Sequence, residues 1–180
     1  KLSGDRLDVF FFFFFFQTVG TVTTGFLPLQ SFERDRIVPT ENDKIFRQQL
    51  LRGWVHDPNA AMMGGVAGHA GLFSNAADLA KIMQMYLNKG MYGGKKYLEH
   101  NTIELFTKRQ NDSNRRALGF DKAEPDTLKV NPASQYASME SFGHSGFTGS
   151  LVWADPAFDL VYIFLSNRVH PHQYNKTLIQ

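Results

Sequence analysis

The sequence contains no cysteine. That excludes disulfides and thiolate metal ligation, while leaving the redox compartment open. An excess of one charge is missing too: 19 Lys and Arg stand against 17 Asp and Glu, a formal net charge of +2 over 180 residues. Basic residues run no longer than pairs such as Lys95-Lys96 and Arg115-Arg116, so the basic footprint of a nucleic-acid-binding surface is not there. No run reaches the roughly 18 apolar residues that a membrane-spanning helix needs. There is no internal repeat. What is present is ordinary, 43% apolar and 20% charged residues, the balance of a soluble globular protein. The length fits one domain or most of one. The chain begins with Lys1, so a signal peptide is not legible. Asn175 to Gln180 read as the opening of a helix that stops early, and both ends are expected to be cut.

One run stands apart. Phe10 to Phe16 are seven consecutive phenylalanines without the period of a surface helix or strand. Natural cores mix side-chain shapes to fill space, so the run is anomalous and carries no functional reading. Val22 to Arg36 reads as loop, and Thr40 to Gln49 as an irregular segment or a short helix. Trp54 to Met63 reads as a side-chain-presenting loop, because Pro58 pushes Asp57 toward an extended conformation. Gly64 to Phe73 is glycine-rich and permits tight turns. The clearest helix starts at Ser74 as N-cap, with Asp78 in its first turn. Leu79, Ile82, Met83, Tyr86 and Leu87 recur at helical spacing, and Gly90 closes it. A turn at Tyr92 to Lys95 leads to a second helix over Asn101 to Arg109. Gln110 to Ser141 reads as loops around a short strand at Ala117 to Phe120. Ser150 to Ala154 and Leu160 to Leu165 are strands joined by Asp155 to Asp159, a hairpin placed in the middle of a sheet. The Met62-Met63 and Met83/Met85 pairs read as core fill.

The chemistry concentrates at Phe142-Gly143-His144-Ser145-Gly146-Phe147-Thr148-Gly149, where glycines let a substrate approach the backbone. Three readings stay open. Ser145 could be a nucleophile beside His144. The strand edge could bind substrate through backbone groups and present His144. Or the segment could be a turn and strand with a satisfied histidine. The first is the weakest, because a nucleophile elbow needs Gly-x-Ser-x-Gly and Phe147 occupies the last position. Adjacent strand residues also point to opposite faces. His170-Pro171-His172 has no carboxylate or thiolate at metal-site spacing and reads as a surface feature. His69 reads as packing under a turn.

Several stretches resemble the serine β-lactamase and penicillin-binding-protein family. They are Ile37 to Glu41, Gly53 to Ala60, Gly64 to Ser74, Gly143 to Gly149 and Phe164 to Val169. The resemblance is nearest to bacterial proteins in which such a domain follows a family-three glycoside hydrolase domain of the β-N-acetylglucosaminidase type. It implies an α+β fold, an antiparallel sheet flanked by helices, here incomplete. It implies acyl transfer by a serine in a Ser-x-x-Lys motif, assisted by a tyrosine from a Tyr-x-Asn-like motif. It implies no metal and no organic cofactor. His144-Ser145-Gly146 matches the family's third motif. By that likeness His144 stands near the nucleophile, Ser145 hydrogen-bonds the substrate, and the N–H of Phe147 supplies half of the oxyanion hole. His56 and Asp57 fall on a loop facing the site, with substrate contact and loop fixing both open. The implied substrate is a small molecule or a cell-wall-derived ester, peptide, amide or β-lactam. An exported or periplasmic location follows from the resemblance alone.

The departures are specific. No serine has lysine three residues later: Ser3 is followed by Arg6, Ser31 by Arg34 and Ser113 by Arg116. Arginine does not deprotonate and cannot be the base. Tyr86-Leu87-Asn88 spells Tyr-x-Asn but lies in the amphipathic helix and reads as a decoy. Leu2 to Asp8 resembles the stretch after the family's tyrosine motif. Residues 1–180 are therefore expected to be the C-terminal part of one serine-hydrolase domain, inactive alone, with the nucleophile upstream of Lys1. The alternative is a non-catalytic binding or packing module attached to a glycoside hydrolase. A fragment of this kind is expected to expose apolar sheet and helix surface.

Overall fold

The structure is a computed structural model that describes residues 3–174. The chain forms two compact units. Of the described residues, the first comprises 3–78, 147–150 and 165–174, and the second 79–146 and 151–164. The opening of a helix expected at Asn175 to Gln180 lies outside the described residues.

In the first unit the phenylalanine run is helical. α1 (Leu7–Phe11) continues through a π-helical turn at Phe12–Phe16 into α2 (Gln17–Val19), where Gly20 closes the helix at φ 80°. Phe16 and Val19 are buried, whereas Phe12, Phe13 and Phe14 are exposed. A helix face of one residue type thus fills a core on one side and leaves rings in solvent on the other. The stretch from Val22 is loop with two short 3₁₀ turns, Pro28–Gln30 and Arg34–Arg36. Thr40 to Gln49 is irregular for most of its length, one of the two expected readings, and not helical. It contributes to an antiparallel ladder of β1 (Asn42–Asp43) and β2 (Gln49–Leu50). Asp43 closes the intervening turn by accepting the N–H groups of Ile45, Phe46 and Arg47.

The expected loop at Trp54 to Met63 also holds a helix, α3 (Pro58–Met62). Pro58 pre-sets its first turn and Asp57 caps it, accepting the Ala60 N–H at 2.7 Å. Val55, Ala60 and Ala67 form the small core beneath it. Met62 and Met63 are 68% and 65% exposed, so this pair is surface and not core fill. Met83 and Met85 are buried as expected.

α4 (Ala76–Leu87) begins two residues after Ser74. Asn75 caps it in place of Ser74, its Oδ1 accepting the Asp78 N–H at 2.9 Å. The Ser74 hydroxyl is instead engaged with Thr24 Oγ1 at 2.7 Å. Asp78 does more than complement a dipole. It is 1% exposed, and its Oδ2 accepts the N–H groups of Val22 and Thr23 and the Thr24 hydroxyl.

In the second unit Gly90 ends the α4 helical segment, its N–H reaching Met85 O at 2.9 Å. β3 (Met91–Tyr92) and β4 (Lys95–Lys96) flank a Gly93-Gly94 turn in which both residues have positive φ, as a tight hairpin demands. α5 (His100–Thr107) follows. The short strand expected at Ala117 to Phe120 is displaced. Those residues form a turn, and the strand is β5 (Asp121–Lys122). β6 (Phe142–Ser145), β7 (Ser150–Asp155) and β8 (Leu160–Leu165) complete a sheet in the order β5-β6-β7-β8. The hairpin is real, but among the described residues it does not lie mid-sheet, because β8 is an edge of that order. Leu160, Tyr162, Phe164 and Leu165 on it are exposed, as expected of an incomplete apolar surface. One face of the sheet is closed by α4: Met83, Phe142 and Ala154 are buried together, with Tyr86 and Phe120 against them.

Candidate functional site

The His-Ser motif stands at the end of β6. Upstream, β6 is locked in place. Phe142 is 2% exposed, and Gly143 pairs with Trp153 across β7. A Cβ at Gly143 would meet the Val152 carbonyl and the Trp153 ring, so only glycine lets the two strands approach this closely. Burial then ends abruptly: His144, Ser145 and Gly146 are exposed.

His144 is nevertheless oriented. Its Nδ1 lies 2.7 Å from Ser145 O. A carbonyl can only accept, so Nδ1 carries the proton and Nε2 presents its lone pair. Arg116 NH1 faces that Nε2 at 3.5 Å. Arg116 is in turn held by Asp121, at 2.6 Å from NH1 to Oδ1, with the Asp121 side chain 5% exposed. Arg115 approaches the same carboxylate at 3.6 Å. Two guanidinium groups thus share one buried carboxylate, leaving an excess positive charge beside His144. Both His144 nitrogens are directed elsewhere than the Ser145 hydroxyl, which disfavours a His144–Ser145 nucleophile pair.

The other sequence-selected residues lie in the first unit. Phe147 is 60% exposed. The His56 ring lies against it with centroids 5.5 Å apart, and the Arg168 guanidinium sits 4.5 Å from its centroid. His56 Nε2 pairs with Glu41 Oε2 at 2.7 Å, both side chains 13% exposed. Asp57, besides capping α3, accepts from His69 Nε2 at 3.1 Å. The Ala60 N–H and then His69 hold its carboxyl below the usual carboxylate range. His69 is therefore an exposed partner of Asp57 and does not pack under a turn. The structure thus brings His56 to Phe147, groups Asp57 with His69, and groups His144 with Arg116. Glu41, Arg116 and Arg168 were not singled out for these places from the sequence, and no local signal marks them.

Tyr86 is partly buried and packs against the core of the second unit. Its ring packs edge-on against Phe120 at 5.4 Å, and burial raises its hydroxyl pKa. Among the described residues no cluster of His, Asp and Glu is placed to hold a metal ion, and no helix is long and apolar enough to cross a membrane. A cavity of about 310 Å³ in the first unit is lined by Leu27, Phe46, Trp54 and Phe73, with Gly64 and Gly65 forming part of its wall.

Comparison with known proteins places this architecture. Residues 21–180 match the family model described as Beta-lactamase. The chain is 33% identical over 94% of its length to an Escherichia coli K12 protein named "Putative D-alanyl-D-alanine carboxypeptidase", covering 42% of that protein. It is 34% identical over 94% of its length to a Bacillus subtilis protein named N-acetylmuramyl-L-alanine amidase, covering 41% of it. The chain thus spans about two-fifths of these curated relatives. In fold it is similar to the crystal structure of a penicillin-binding protein homolog from Caulobacter crescentus, with a TM-score of 0.62 at 19% identity, over 92% of this chain and 47% of that one.

Proposed function

Because this chain belongs to the beta-lactamase family, we propose that it is the C-terminal part of one serine-hydrolase domain working by acyl transfer on a cell-wall-derived peptide or amide. The nucleophilic serine and its lysine then lie outside residues 1–180. Two facts support this: no serine here has lysine three residues on, and the chain spans only about two-fifths of its curated relatives. The substrate class is supported by the names those relatives carry. A glycoside hydrolase domain in the same parent chain belongs to the same reading, on the resemblance of Gly53 to Ala60 and Gly64 to Ser74.

The observation that carries the proposal is the exposed end of β6. A strand buried at its start delivers His144, Ser145 and the following turn to solvent, with His144 held in one tautomer and positive charge beside it. In the proposed reaction the serine oxygen attacks the substrate carbonyl carbon and the carbonyl oxygen takes up negative charge. The Phe147 N–H donates to that oxygen, an interaction made fully only in the tetrahedral state. The scissile C–N bond breaks, the amine leaves with the proton the serine gave up, and water then cleaves the serine ester, releasing the acid and restoring the serine hydroxyl. Ser145 hydrogen-bonds the substrate. His144 stands beside the serine with its Nε2 held toward Arg116. His56 and Asp57 shape the loop behind Phe147.

The test uses the natural full-length protein. It is incubated with a fluorescent penicillin, and the acylated peptide is located by mass spectrometry. A label on a serine outside residues 1–180, lost on substituting that serine, is the expected result. A label on Ser145 would overturn the placement of the nucleophile. No label and no amidase activity would leave the chain a non-catalytic module.

A further inference from the structure

We propose that Glu41 and His56 form a positioning pair for Phe147, fixing the direction of its main-chain N–H through its side chain. The inference rests on the reading that this N–H is an oxyanion donor. An exposed phenylalanine on a glycine-flanked turn has no reason of its own to hold one conformation. Here its ring lies against His56, with centroids 5.5 Å apart and planes 32° apart. His56 is itself not free to turn. Glu41 Oε2 accepts from its Nε2 at 2.7 Å, a charge-assisted geometry that fixes both tautomer and ring plane. Glu41 is fixed in turn, its Oε1 accepting the Gln173 N–H at 3.2 Å and its carbonyl accepting the Leu51 N–H at 2.7 Å. The backbone of His56 is tied down as well, its carbonyl accepting from Arg47 NH2 at 2.7 Å.

The turn is held independently from the other direction. Arg168 places its guanidinium 4.5 Å from the Phe147 centroid while its N–H donates to Thr148 O at 3.1 Å. The Ser166 hydroxyl donates to Gly149 O at 2.7 Å. Gly149 has φ 108°, and a Cβ there would meet Ser166 and Arg168, so the main chain is pressed against this support. The peptide preceding Phe147 is therefore over-determined from its ring and from the turn after it. That is the precision a preorganised hydrogen-bond donor needs. A pair that merely stabilised a loop would not have its aromatic ring laid on this one residue.

The experiment is a double-mutant cycle in the natural full-length protein. It combines Glu41→Gln, nearly isosteric, with Phe147→Leu on the surface. The measured quantities are kcat and KM for release of a chromogenic amine from a cell-wall-type peptide amide. A 4-fluorophenylalanine at position 147 reports the ring environment by fluorine NMR. Glu41→Gln is expected to move or broaden that resonance and to lower kcat about tenfold with KM unchanged, as for an interaction realised in the transition state. In the Phe147→Leu background the same substitution is expected to have little further effect. An unmoved resonance, or additive losses in the cycle, overturns the positioning role. A moved resonance with unchanged kcat leaves the contact standing and overturns instead the assignment of the Phe147 N–H as oxyanion donor.

Discussion

Thr23 and Asp78, 55 positions apart, are joined by a 2.7 Å hydrogen bond from the Thr23 N–H to a carboxylate that is 1% exposed. The same Oδ2 accepts the Val22 N–H at 2.9 Å, so one buried oxygen satisfies two backbone donors of a loop that has no ladder of its own. Asp78→Ala leaves both donors without this acceptor. The expected loss is about 1–3 kcal/mol, the cost of stranding the part-buried Thr23 donor, because Val22 is exposed and its N–H can turn to water. Urea unfolding of the full-length variant checks it, and a loss below about 1 kcal/mol would mean that water replaces the carboxylate.

Asp43 gives a pH dependence with a definite sign. Burial pushes its carboxyl upward, but hydrogen bonds from the Arg47 side chain and from the N–H groups of Phe46, Arg47 and Ile45 more than reverse this. Its folded pKa lies well below the ordinary value near 3.8. The unfolded state therefore binds its proton first as pH falls. The stabilisation is complete above that ordinary value and is lost progressively below it. Asp43→Asn is expected to cost about 3 kcal/mol at neutral pH, because Arg47 keeps its charge in a nearly buried place. It is also expected to flatten the acid limb of a stability-against-pH curve. An unchanged acid limb would exclude Asp43 as its source.

Lys122 gives the same sign at the alkaline end, from a charged form that burial disfavours. It is 5% exposed, and burial lowers its pKa to about 8, assisted by Arg109 and opposed by Glu140 and Asp155. Its Nζ donates to Glu140 O at 2.7 Å. Between about pH 8 and the ordinary value of 10.5 the folded state has released a proton that the unfolded state still holds. Stability contributed by this group therefore rises with pH across that window. Lys122→Met is expected to remove the rise and to be neutral or stabilising near pH 7. Thermal melts between pH 7 and pH 10 measure this, with about 2–4 °C for each kcal/mol in a chain of this size.

These contacts mark where sequence reading succeeds and where it stops. The β7–β8 hairpin was legible because β-formers flank Asp155-Pro156, and α4 because its apolar residues keep helical period. The β1–β2 ladder was not, because strands of two residues carry no period. The cap of α4 slipped by one residue because Ser74 and Asn75 are both competent, and the choice is made by Thr24, 50 residues away. Met62-Met63 and Met83/Met85 look alike in sequence, yet only the second pair lies on the apolar face of a helix. The His144-Ser145-Gly146 motif was visible as spelling. Its companions Arg116, Glu41 and Arg168 were not, because each reaches its partner through the fold and no local pattern encodes the pairing.

Arg116 supplies the sharpest test at the β6 edge. Its NH1 bridges the buried Asp121 carboxylate and the Nε2 of His144, at 2.6 Å and 3.5 Å. On the proposed function, Arg116 fixes which nitrogen of His144 presents a lone pair and where. Arg116→Gln leaves Asp121 with Arg115 at 3.6 Å, so the strand should keep its place while His144 loses its fixed neighbour. A misplacement on the scale of an ångström costs about 10²-fold in rate. The expected fall in kcat/KM is therefore about 10–100-fold, with a modest fall in melting temperature because the buried Asp121 keeps only Arg115. Arg116→Lys keeps the charge but not the fork that bridges two partners, so it should rescue little of the loss. Full rescue by lysine would mean that the site requires only positive charge here, and that His144 is oriented by its bond to Ser145 O alone.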